Sequence, residues 1–259
     1  MKNSLMFRRA VNLVMVTGLM QAGLLLPVFA DDPSATWNPD TYAPVERAFA
    51  VPYPRLPPQG RLVLSIDHRA FQPMDDKPFS SLLGFDSGNL TIGLGVRYGL
   101  LDNLDIGVKR FNATVTAFDT YEFGPRLQFM KESHGLADAA VGGGLTWFDA
   151  EEGGDKYGGM GELLVGRTLL PRLYMTIGAL YHSLPPGATV TNRVDGPDYG
   201  LAILATANLL VAERLALVTE WSIPVDGAHE RAPAWSVGPK YYTLGHTFSL
   251  VVSNAHEIS

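Results

Sequence analysis

Residues 88–111 constrain this chain more than any other stretch, because their apolar side chains recur at every second position. Leu90, Ile92, Leu94, Val96 and Tyr98 alternate with Thr91, Gly93, Gly95, Arg97 and Gly99. Successive side chains on a strand point to opposite faces, so the segment carries one apolar face and one small or charged face. A turn at Leu101-Asp102-Asn103 follows, with residues that tolerate a tight reversal. Leu104, Ile106 and Val108 then return against Asp105, Gly107 and Lys109. Two architectures accept such a hairpin. In a soluble sandwich the apolar face is core, whereas in a membrane barrel it meets lipid and the charged face lines a lumen.

The rest of the chain chooses between them. The same two-faced pattern recurs from residue 60 to residue 254, and with the opening hairpin it marks eleven strands. Most approach the roughly 9–11 residues that a tilted strand needs to cross a bilayer. Their connections alternate in length: 71–88 is long, 100–103 short, 112–118 long, 131–136 short, 149–156 long, 170–171 short, 184–198 long, 211–213 short, 224–232 long and 244–245 short. Outer-membrane barrels join strands by short periplasmic turns and longer outside loops, and a Greek-key sandwich has no reason to keep that parity. Aromatics (Tyr98, Phe111, Tyr121, Phe129, Trp147, Tyr157, Tyr181, Tyr199, Trp221, Trp235, Tyr241) fall near the segment ends, where interfacial girdles belong. The expected fold is an all-β, antiparallel, up-and-down transmembrane barrel. About twelve strands are expected, the even count such barrels favour, with about eleven visible.

Residues 1–30 read as a secretory leader. Lys2, Arg8 and Arg9 precede an apolar run over 10–26, and Val28-Phe29-Ala30 offers small residues for cleavage before Asp31. Its removal lowers the basic count from 20 to 17 against 26 acids, a net charge of −9, which argues against nucleic acid as a partner. The expected location is the bacterial outer membrane, with membrane lipid as the surrounding partner. Residues 31–59 hold Pro33, Pro39, Pro44, Pro52, Pro54, Pro57 and Pro58 without any sustained period, and read as an extended arm that trails in the periplasm or tucks into a lumen. The arm is also where a periplasmic partner would bind. Residues 60–254 form the barrel and 255–259 a short tail. Parity leaves the eleventh strand ending outside, so an open seam is expected between residues 61–70 and 246–253, as in a C-terminally shortened copy. The alternative is that residues 48–53 supply the missing strand.

With the apolar faces toward lipid, the lumen-facing charges are Asp67, Arg69, Arg97, Asp105, Lys109, Glu122, Arg126, Glu162, Arg214, Glu220 and Lys240. Acids and bases nearly balance, unlike the one-sign rings of strongly selective channels. Charges that pair across the wall and fill a narrow interior are expected. No catalytic residue, cofactor or metal site is expected. The chain has no Cys, its six His are scattered, and no Gly-x-Ser-x-Gly elbow occurs. His182 and Ser183 are adjacent on a strand, so they point to opposite faces and cannot act as base and nucleophile. The acidic residues Asp75, Asp76, Asp149, Glu151, Glu152 and Asp155 read as solvated loops, the alternative being loops that bind Ca²⁺ or bridge lipopolysaccharide through divalent ions. Gly142-Gly143-Gly144 lies within a strand and marks a bend or a close approach rather than a nucleotide loop.

Three stretches, residues 61–73, 84–88 and 245–254, resemble a family of bacterial outer-membrane β-barrels known only as domain of unknown function 5777. The resemblance covers roughly residues 58–254. It implies a barrel and a membrane location, and carries no activity or catalytic residue. The functional expectation is a passive pore or transport-associated barrel passing small solutes. The alternatives are a structural or interaction barrel with a filled lumen, working through its outside loops, and, third, a lipid-modifying enzyme at the rim.

Overall fold

A computed structural model describes residues 14–22, 47–70, 90–112, 118–150, 155–183, 199–227, 233–243 and 246–254. The strands are β1 (Val14–Ala22), β2 (Leu62–Ala70), β3 (Leu90–Leu101), β4 (Leu104–Phe111), β5 (Phe118–Met130) and β6 (Asp138–Ala150). They continue with β7 (Lys156–Leu170), β8 (Leu173–Ser183), β9 (Tyr199–Ala212), β10 (Leu215–Gly227), β11 (Ala234–Tyr242) and β12 (His246–Ser253). From β2 to β12 each strand pairs antiparallel with the next in sequence, so the all-β, up-and-down fold expected from the alternation is what forms.

The two-residue period sorts side chains between faces. On β7 Glu162 is 7% and Leu164 0% exposed, while Leu163 between them is 48% exposed. On β8 Thr176 is 1% and Ile177 60% exposed. Exposed Leu94, Ile106, Val141, Val165, Ile203, Leu217 and Leu250 continue the outer apolar band around the sheet. Such a band would be untenable in water and suits lipid. Aromatics edge it at both ends. Tyr121 stacks on Trp147 with centroids 4.7 Å apart, Trp147 lies opposite Tyr157, and Trp221 lies opposite Trp235 near the long connections. Exposed Tyr98, Phe129, Tyr241 and Phe248 lie near the short turns. Phe111 departs from the expected girdle. It is buried on the inner face, its ring covered by the Lys109 ammonium at 4.0 Å, because its position shares the parity of Asp105, Gly107 and Lys109.

Three of the short turns reverse in two residues, with Leu101 opposite Leu104, Leu170 opposite Leu173 and Ala212 opposite Leu215. The β5–β6 connection instead holds a short 3-10 turn, Glu132–His134. The segments of the long connections 71–89, 113–117, 151–154, 184–198 and 228–232 lie outside the described residues, and with them Asp75, Asp76, Glu151 and Glu152.

The eleven strands β2 to β12 leave two edges that do not bond to each other. β1 stands between them, antiparallel to both, with Val14 opposite Ser253 on one side and Ala22 opposite Leu64 on the other, and the strand order thereby runs full circle. The seam expected between residues 61–70 and 246–253 is therefore spanned by part of the stretch read as a leader. The alternative that residues 48–53 fill it is overturned, since those residues lie inside the barrel.

Candidate functional site: residues 47–58 inside the barrel

The Pro-rich arm enters the barrel from the short-turn end. At Pro58-Gln59-Gly60-Arg61 the Arg61 N–H donates to the Pro58 carbonyl at 3.0 Å, and Gly60 has φ 78°, the third-position geometry of a type II turn. Gly60 N–H donates to the Gly99 carbonyl (2.8 Å) and Gly99 N–H to the Arg61 carbonyl (3.0 Å), which feeds the chain into β2. On the other side of the turn the chain runs inward, over Gly99, where a Cβ would lie 2.2 Å from the Pro58 carbonyl oxygen.

Arg55 anchors the segment at the rim. Its guanidinium donates to Asp138 through Nε and to Glu132 through Nη2 (3.0 Å), and covers the Tyr174 ring at 4.5 Å. The partners are themselves fixed: Asp138 accepts from the Tyr174 hydroxyl (3.1 Å) and from Gln128, and Glu132 accepts from the Thr168 N–H and hydroxyl. Inward of Arg55, Tyr53 is fully buried, edge-on to Tyr174 with centroids 5.9 Å apart. Asn208 donates to the hydroxyls of Tyr53 (3.2 Å) and Tyr242 (2.8 Å). Burial pushes the Tyr53 phenol well above its ordinary range, so it stays neutral.

At the tip, Ala48 N–H donates to the Val51 carbonyl at 2.7 Å and closes a tight turn. The turn projects three consecutive N–H groups, those of Phe49, Ala50 and Val51, onto one Glu220 oxygen at 3.0, 2.9 and 3.1 Å. Such a run of N–H groups forms an anion-binding concavity. The second Glu220 oxygen accepts from the Ser236 hydroxyl at 2.9 Å. From β11 the Lys240 ammonium donates to the carbonyls of Arg47 (2.6 Å) and Ala48 (2.8 Å). Ala48, Phe49 and Tyr53 pack with Ala216, Val218, Tyr242 and Val251, while Val51 meets Leu164 and Leu204. Full burial of an aromatic such as Phe49 is worth about 1.5–3 kcal/mol, so the tip is held by apolar contact as well as by charge.

The expected lumen charges divide by what they hold. Asp105 pairs with Arg97 and with Arg126 (2.8 Å), and Arg126 reaches the Tyr53 carbonyl at 3.5 Å. Asp67 pairs with Arg47 of the arm at 3.0 Å, with Lys109 3.9 Å away. Glu122 lies opposite Lys109 in register, and Glu162 lies opposite Gly142. A Cβ on Gly142 would come within 2.6 Å of the Glu162 carboxylate, and one on Gly107 within 2.8 Å of the Arg97 guanidinium. Inner-face glycines thus leave room for charged side chains to lie across neighbouring strands. Within the triplet, a Cβ on Gly144 would come 2.0 Å from the Phe123 carbonyl, the close backbone approach expected there. Arg214 is a correction: it is exposed in the two-residue turn between β9 and β10, where chain reversal takes it off the strand's inner face. Arg69 lies on β2 opposite Thr91, and its side chain falls outside the described residues.

Sequence reasoning missed Arg55, Glu132, Asp138, Tyr174 and Ser236, and the apolar part of the inner face. No period marks residues 47–58, and Leu164, on the same inner face as Glu162, carries no charge that would single it out as lining a site. Ser183 accepts from the Gly159 N–H at 2.6 Å, tying β7 to β8. Among the described residues no group of three His, Asp or Glu is placed to hold a metal ion. The arrangement is one of binding: an acid for N–H groups, an ammonium for carbonyls, and an aromatic recess between them.

A family model described as a membrane bound beta barrel domain (DUF5777) matches residues 54–259. No curated protein matches the chain. The matched span begins beside Arg55 and takes in every strand from β2 to β12, leaving the tip residues 47–53 ahead of it.

Proposed function

This chain belongs to the family of membrane-bound β-barrel domains, and from that premise we propose a transport-associated barrel of the bacterial outer membrane whose lumen is held shut by its own residues 47–58. The observation that carries the reading is the grip on the tip, with three N–H groups on Glu220 and two carbonyls on Lys240. An unobstructed passive pore would leave these wall charges to water. The location rests on the apolar outer band, the short-turn and long-loop parity, and the leader pattern over residues 1–30. The short turns then face the periplasm, and the arm enters from that side. The role in this reading is non-enzymatic, and among the described residues Ser183 bonds to the Gly159 backbone and ties two strands together.

The second reading is a permanently filled barrel that works through its long loops, favoured by the full burial of Ala48 and Tyr53. Planar-bilayer recording separates the two. The wild-type protein is expected to be silent and Glu220→Gln/Lys240→Met to give steady current steps. Silence from both would favour the filled barrel, and steps from the wild type would restore the passive pore.

A further inference from the structure

Beside the Arg47–Asp67 ion pair and the apolar packing, the polar contacts that hold residues 47–51 fall mostly on main-chain atoms. Glu220 takes the N–H groups of Phe49, Ala50 and Val51, and Lys240 takes the carbonyls of Arg47 and Ala48. Ala48 and Ala50 present only methyl groups there. A lumen that merely needed filling would be served as well by apolar side chains, because replacing buried charges with well-packed hydrophobic residues is often neutral or stabilising. Charges aimed at both polarities of a backbone do something that filler does not. They recognise peptide as such. When the tip leaves, water can solvate Glu220 and Lys240, so the site survives empty.

We propose that Glu220, Ser236 and Lys240 form a receptor for peptide main chain, with residues 47–51 as its resident ligand and a short turn-forming peptide as the class of molecule that replaces it. Small residues flanking one aromatic, as in Ala48-Phe49-Ala50, suit the recess lined by Ala216, Val218 and Tyr242. This rests on the reading that residues 47–58 occupy a lumen they can vacate.

The test uses the full chain in lipid nanodiscs and a fluorescent peptide of residues 46–54. In one variant, Phe49→Asp/Tyr53→Asp, charge placed in the apolar recess drives the resident tip out. The peptide is expected to bind this variant saturably and the wild type hardly at all. Adding Glu220→Gln, or N-methylating the peptide at the positions of Phe49, Ala50 and Val51, is expected to weaken binding at least about tenfold, since both remove charge-assisted hydrogen bonds. Equal binding of the N-methylated peptide, or no saturable binding to the loosened variant whether or not it conducts, overturns the proposal. Conductance of that variant reports separately on closure: an open channel that takes no peptide sinks the receptor and leaves the closure reading standing.

Discussion

Glu220 and Lys240, on adjacent strands β10 and β11, hold one turn of residues 47–51 from opposite sides, the carboxylate on its N–H groups and the ammonium on its carbonyls. Three N–H groups meet the carboxylate and two carbonyls meet the ammonium, so main-chain dipoles offset part of the desolvation of each charge. Removing either leaves several backbone groups to find water. Glu220→Ala or Lys240→Met is expected to destabilise the folded barrel by about 2–4 kcal/mol, and Glu220→Gln by less, because hydrogen bonds to a charged group are worth about 1.5–3 kcal/mol each. Urea unfolding in lipid vesicles measures this. Unchanged midpoints would mean the grip contributes nothing.

The two faces of β8 make a second prediction from neighbouring residues. Ile177 is 60% exposed on the outer band, so Ile177→Arg is expected to cost about 2–4 kcal/mol if it sits near the bilayer midplane. Thr176 is buried, and its hydroxyl meets no hydrogen-bond partner among the described residues. Thr176→Val keeps the shape and removes that hydroxyl, so stability is expected to hold or rise by up to about 1 kcal/mol. The fraction of heat-modifiable protein on gels reads both. Similar losses in the two variants would refute the face assignment.

This division of faces was legible in the sequence, and so were the antiparallel order and the alternating connections, because a two-residue period and a turn are local signals. Parity also placed Asp105, Arg97 and Arg126 together on the inner face of adjoining strands, where they pair. What Glu220 and Lys240 hold did not follow. Phe49 lies 171 residues from Glu220, and a Pro-rich stretch without a period says nothing about where it docks. Reading the lumen charges as partners of one another agrees with the contacts of Asp105 and leaves out those of Glu220, which takes the Ser236 hydroxyl and three backbone N–H groups that leave no compositional mark.

The Arg55 anchor at the rim predicts a salt-sensitive entry. Its guanidinium is about a fifth exposed, so ions screen its pairs with Glu132 and Asp138 in part. The chain has no Cys, so a single Ala50→Cys variant reports access to the tip by maleimide labelling. Arg55→Ala is expected to speed labelling about tenfold, from two partly screened ion pairs and one cation–π contact. Raised salt is expected to speed the Arg55-containing protein alone. A salt effect of the same size in both would place the sensitivity elsewhere.

Gly107 offers a test of the inner-face spacing. Its missing side chain makes room for the Arg97 guanidinium, which pairs with the fully buried Asp105. Gly107→Val is expected to push Arg97 aside and cost about 1–3 kcal/mol through strain and a weakened pair. The companion Gly107→Val/Arg97→Ala, which removes the clash, is expected to recover part of the loss. Strict additivity of the two substitutions would show that they do not meet.

The last prediction concerns β1. Val14–Ala22 bonds to β2 on one side and β12 on the other, yet it lies within the stretch whose pattern marks it for cleavage after Ala30. A protein beginning at Asp31 keeps β2 to β12 and loses the strand between their edges. Unpaired N–H and C=O groups in hydrocarbon cost several kcal/mol each, so bare edges along Leu62–Ala70 and His246–Ser253 are not tolerated singly. The shortened protein is therefore expected to unfold at lower urea than the full chain, or to self-associate through those edges. A synthetic peptide of residues 13–22, added during refolding, is expected to restore a monomer, because it can reoccupy the slot with the same antiparallel register. Mass spectrometry of protein purified from membranes tells which form a cell carries. If the form beginning at Asp31 is as stable and as monomeric as the full chain, with or without peptide, the two edges meet each other directly and β1 is dispensable.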